Sequence, residues 1–113
     1  MTLQQQQASF ARHVAKLIGH INDAGFTCTL GAALRNRGLG TNTIGCYSPA
    51  PPDSLHYKGL AIDINIFDPD GSRLSDPSSY EEFGLYWESL NANNKWGGRF
   101  SRPEPTHFER KEV

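Results

Sequence analysis

From Leu60 to Phe67 apolar and polar residues alternate, with Leu60, Ile62, Ile64 and Ile66 on one face and Ala61, Asp63 and Asn65 on the other. This predicts a strand with a core face, whose second face carries a carboxylate in a strongly apolar segment. Such a carboxylate is costly unless something pairs with it or coordinates it. Near the N-terminus the period changes. Phe10, Val14, Leu17, Ile18 and Ile21 form one helical stripe, opened by a capping box at Thr2 and Gln5 and ending near Asp23, with Gly25 as the stop. Phe26 to Leu30 alternates again and reads as a strand. Gly, Asn, Pro and Ser dominate from Gly31 to Asp53, predicting a long loop with a short helical piece near Ala32 to Asn36; its tip around Pro49 to Pro52 reads equally as a functional loop or a surface excursion.

Beyond the central strand, Asp68-Pro69-Asp70-Gly71 predicts a turn and a short return strand at Ser72 to Leu74. Ser79 and Glu82 form a second capping box, followed by an aromatic stripe of Phe83, Tyr86, Trp87 and Leu90. Trp96-Gly97-Gly98 is a tight bend whose Trp either lines a cleft or fills the core. A last short strand carries His107, with Phe108 turned inward, and the charged tail from Arg110 to Val113 is expected to fray. A helix followed by strands that a second helix interrupts defines an α+β fold, a small antiparallel sheet with flanking helices.

The 113 residues are expected to form one domain, 1–113, and a monomer. With 11 basic and 12 acidic side chains the net charge is -1, which gives no footing for nucleic acid or an anionic membrane surface. No apolar run approaches the roughly 18 residues of a spanning helix. Met1-Thr2-Leu3 followed by glutamines lacks the basic start and apolar stretch of a signal peptide, so the expected site of synthesis is the cytoplasm. Cys28 and Cys46 are then expected as reduced thiols.

The chemistry gathers at two places. His56 precedes Asp63 across Gly59, which can turn the chain back, so a histidine and an aspartate can meet there. If the strand of His107 pairs beside the central one, His107 shares a face with Asp63. Two histidines and a carboxylate leave a zinc ion one open position, the pattern of a catalytic site. Glu104, kept out of the strand by Pro105, is then the natural general base, and Glu109 lies on the His107 face to orient a ligand. Taken singly, His56 reads as a surface histidine, Asp63 as a turn cap or an arginine's partner, and His107 as a core-edge histidine. Three ligands of the right type with a base at a fixed offset outweigh that reading when taken together. His13 and His20, on the first helix, read as core-edge histidines instead.

The Ser-x-His-x-x-Gly-x-Ala-x-Asp run from Ser54 to Asp63, the Trp96-Gly97-Gly98-Arg99-Phe100 segment and the closing Glu104-x-x-His107-Phe108 resemble the zinc D-Ala-D-Ala carboxypeptidase family. The likeness runs from about Phe26 to Phe108 and is greatest to small phage members, which include endolysins that cut the L-alanyl-D-glutamate bond of peptidoglycan. The resemblance implies a fold shared with hedgehog-type domains, Zn2+ held by His56, Asp63 and His107, and Glu104 as base. It also implies an arginine that steadies the oxyanion, here Arg35 in Gly31-Ala32-Ala33-Leu34-Arg35, with Arg37 nearby. The implied activity is zinc-dependent hydrolysis of a peptidoglycan stem peptide, on the cell wall after release. The alternatives are a D-Ala-D-Ala carboxypeptidase or dipeptidase and a zinc-binding module without catalysis.

Overall fold

The computed structural model describes residues 1–32 and 55–111, with the side chains of residues 56 and 57 outside that description. Helix α1 spans Leu3–Asp23, and Thr2 and Gln5 cap it reciprocally as the sequence predicts. Strand β1 is Thr27–Leu30 and β2 is Ala61–Phe67. A 3-10 turn over Leu55–Lys58 precedes β2. It is pinned to α1 by the Gln7 side-chain amide, which donates to the Lys58 carbonyl. The chain then reverses at Gly59, whose φ of +68° is the left-handed conformation that glycine adopts freely.

Helix α2 spans Pro77–Leu90. It starts ahead of the predicted Ser79–Glu82 box, because Pro77 has the fixed φ suited to a first helical position. Strand β3 (Asn94–Trp96), a 3-10 turn (Gly97–Arg99) and β4 (His107–Arg110) complete the chain. The four strands form an antiparallel sheet in the order β1-β2-β4-β3. The predicted return strand at Ser72 to Leu74 is reduced to one bridge, Phe67 to Arg73. The architecture is the α+β fold expected from the sequence, and β3 is an element that the sequence reading missed.

Both helices pack on one face of the sheet. Phe10, Leu17 and Ile21 from α1 and Tyr80, Phe83 and Trp87 from α2 enclose Ile62, Ile64 and Ile66 of β2 with Phe108 of β4. Trp87 meets Phe10 and Phe108 edge-on, and its indole N–H donates to the Glu109 carbonyl, tying α2 to β4. Packing on one face leaves Asp63, Asn65, His107 and Glu109 on the other. Among the described residues no helix is long and apolar enough to cross a membrane.

Arg110 corrects the expectation of a frayed tail: it lies in β4 and is only 3% exposed. Two residues beyond Phe108, it points to the helix side, where its guanidinium contacts the Gln6 carbonyl and, at 3.2 Å, His13 Nδ1. A guanidinium only donates, so His13 Nδ1 accepts and must be unprotonated. Burial, then the charges of Arg110, Lys16 and Arg12, hold the His13 pKa below its ordinary value of 6.5. In the usable pH range the unfolded chain therefore takes up this proton before the folded one does, and acidification favours unfolding. The stability contribution of neutral His13 is complete above about pH 6.5 and is lost as pH falls through that value toward the lower folded pKa. Thermal melts from pH 8 to 5 should show a smaller acid-side decline in His13→Asn, whose amide oxygen accepts the same bond without titrating. Parallel declines in the two proteins would refute this account.

Candidate active site

The β2–β4 pairing sets Asp63 directly opposite His107. His107 Nδ1 lies 3.5 Å from Asp63 Oδ1, and His107 Nε2 lies 2.6 Å from Glu109 Oε1. The imidazole is thus held between two carboxylates, with its ring at a tilted 5.7 Å from Phe100. Burial opposes protonation of His107, but the hydrogen bonds and charges of Asp63 and Glu109 outweigh it and hold the pKa up to about 9. The Asp63 backbone is held by the residues that follow β1, since its carbonyl accepts from the Gly31 N–H and its N–H donates to the Ala32 carbonyl.

Two donors on a tetrahedral zinc, with bonds of about 2.0–2.2 Å, stand about 3.3–3.5 Å apart. The 3.5 Å between Nδ1 and Oδ1 matches that spacing. A carboxylate on the far ring nitrogen, as Glu109 provides, is the usual support of a metal-binding histidine. The pair therefore fits a zinc ion. Among the described residues no group of three His, Cys, Asp or Glu side chains is arranged to hold a metal. His56 lies in the 3-10 turn before Gly59, but its side chain is outside the description, and Arg35, Arg37, Ser54 and Cys46 are outside it altogether. Cys28 is a free thiol.

Glu104 sits, exposed, on the turn that leads into β4. The His107 N–H donates to the Glu104 carbonyl at 3.0 Å, and the Glu104 N–H donates to the Gly97 carbonyl at 2.9 Å. The next residue, Pro105, accepts from the Trp96 indole N–H at 2.8 Å. Trp96 is a core residue, 3% exposed, and does not line a cleft. Its indole lies in a slot between Gly84 of α2 and Gly98, where a β-carbon on either glycine would come within 2.1 Å of the ring. A β-carbon on Gly97 would come within 2.5 Å of the Glu104 carbonyl oxygen and 2.8 Å of His107 Cβ. The Trp96 segment is therefore a jig for the Glu104–His107 turn. The two glycines after Trp96 are the sequence signal for it, although nothing local points to Gly84 as the opposite wall.

Residues 48–110, more than half of the chain, match the model of the D-alanyl-D-alanine carboxypeptidase family, and the chain belongs to that family of peptidases. Among solved structures it is similar to the Serratia marcescens L-Ala D-Glu endopeptidase ChiX. The TM-score is 0.51 at 17% identity, over 75% of this chain and 67% of that one, a likeness of fold. No curated protein matches the sequence.

Proposed function

We propose that the chain is a zinc-dependent peptidase that hydrolyses a peptide bond in peptidoglycan stem peptides, with His56, Asp63 and His107 as zinc ligands. The observation that supports it most is the pairing of Asp63 with His107 at a tetrahedral ligand spacing, with Glu109 behind the imidazole. In this reading residues 1–113 are one peptidase domain that works as a monomer, because every proposed ligand comes from a single chain. Bound zinc supplies Lewis acidity that acidifies a water molecule and polarises a carbonyl.

The remaining chemistry belongs to the chain. Glu104 takes the proton of the attacking water and returns it to the leaving amine. Glu109 accepts from His107 Nε2–H, which makes Nδ1, on the Asp63 side, the metal-binding nitrogen. Arg35 stabilises the oxyanion of the substrate. No covalent intermediate forms, because no side-chain nucleophile takes part.

The L-Ala D-Glu bond, cut by the similar ChiX, is the first candidate. The family description favours a terminal D-Ala-D-Ala bond as the second. A lysis enzyme of phage type, made in the cytoplasm and acting on the wall after release, fits the first. Mass spectrometry of muropeptides before and after digestion distinguishes the two bonds. Elemental analysis should give about one zinc per chain, and His107→Ala should lose it. Full zinc content in that variant would reject the ligand set, and zinc-loaded protein that cuts no wall preparation would leave a binding module.

A further inference from the structure

We propose that Asn65 and Arg73 form a carboxylate-binding subsite on the sheet face beside Asp63, a site that selects peptides bearing a free carboxylate near the scissile bond. The inference rests on the peptidase reading above and adds a specificity determinant to it.

Asn65 follows Asp63 by two residues on β2, so it lies on the same face about 7 Å further along. Arg73 reaches that face through the turn after β2, where it bridges to Phe67. Its Nη2 donates to Asn65 Oδ1 at 2.9 Å. A guanidinium has no acceptor, so this bond fixes the amide with its oxygen toward Arg73 and its NH2 group turned the other way. What the pair still presents is N–H: the Asn65 amide nitrogen and the remaining guanidinium donors. An array dominated by donors, with one positive charge, is complementary to a carboxylate.

Arg73 is exposed and makes no ion pair among the described residues. The neighbouring acids are otherwise engaged. Asp68 Oδ1 accepts from the Asp70 and Ser72 N–H groups, and Asp70 Oδ1 accepts from the Ser72 N–H and hydroxyl. The Leu74 N–H donates to the Ile66 carbonyl. The turn thus holds itself together without the Arg73 side chain, whose bond to Asn65 places charge on the site face. An extended peptide with its scissile carbonyl over Asp63 and His107 passes Asn65 within about two residues.

The test uses zinc-loaded protein and matched peptides, one with a free side-chain carboxylate within two residues of the scissile bond, one with that group as carboxamide, and one amidated only at its C-terminus. Wild type should prefer an acid over the corresponding amide by about tenfold in kcat/KM, carried mainly by KM. The amide that loses the preference identifies side chain or terminus as the source. In Arg73→Gln the acid-to-amide ratio should fall to about one, and Arg73→Lys should recover part of it. Asn65→Asp, which neutralises the arginine, should erase the ratio as well. A ratio near one in wild type, or one unchanged in Arg73→Gln, overturns the subsite. If wild type cleaves none of the peptides, the peptidase reading fails by itself, and the acid-to-amide ratio of calorimetric Kd values decides the subsite by the same criteria.

Discussion

Glu104→Gln should fold, keep its zinc and lose peptidoglycan cleavage by at least about a hundredfold, the low end for removal of a general base. The amide has nearly the same shape and can still hydrogen-bond, but it cannot take a proton. Glu104 holds its turn through backbone groups, its N–H on the Gly97 carbonyl and its carbonyl under the His107 N–H. Its carboxylate makes no ion pair among the described residues and is exposed. Stability should therefore move by no more than about 0.5 kcal/mol, as for an ordinary surface change. Asp63→Ala should give the contrasting result, because a proposed ligand is removed and zinc should be lost with the activity. Zinc content and muropeptide release, measured on one preparation of each variant, separate the two roles. Wild-type cleavage by Glu104→Gln would end the proposal that it is the base.

The residues that meet at this site were legible because each is tied to a local pattern. Alternation from Leu60 to Ile66 put Asp63 on the polar face of β2, and Phe108 fixed which way His107 points. The pairing that joins them has no local signal, since register between distant strands is set by the whole sheet. Where the reading missed, a local cue competed with a tertiary one. The Ser79–Glu82 pattern is a sound capping box, but Pro77 and the packing of Tyr80 bring the helix start forward. Arg110 read as solvated tail on charge alone, although the alternation from Phe108, carried one step further, puts it on the buried face. Strand β3 is too short to show a period. The role of Trp96 could not be read locally, because one wall of its slot comes from α2.

Gly97→Ala tests whether that slot serves the chemistry as well as the fold. The added methyl would stand 2.5 Å from the Glu104 carbonyl oxygen and 2.8 Å from His107 Cβ, distances that van der Waals repulsion forbids. The first neighbour is backbone and the second is fixed to it, so no side-chain rotation relieves the clash. The turn from Glu104 to His107 must move away by several tenths of an ångström or more. On one side, the Trp96 indole still holds the Pro105 carbonyl; on the other, the Ile64 N–H holds the Thr106 carbonyl. The displacement therefore concentrates on the proposed base and the proposed ligand. Overpacking of this kind costs about 1–3 kcal/mol of stability. Misplacement of about 1 Å at a reacting group costs on the order of a hundredfold in rate. The expected variant is folded at 25 °C, melts earlier, and has kcat reduced by about a hundredfold, with weaker zinc retention under a chelator. Gly19→Ala, at an α1 position where a β-carbon meets nothing within 4 Å, is the control: it should keep wild-type kcat and zinc retention and melt no earlier, since alanine suits a helix interior better than glycine by about 1 kcal/mol. If Gly97→Ala melts earlier but keeps wild-type kcat and zinc retention, the segment supports the fold alone and does not position Glu104 and His107.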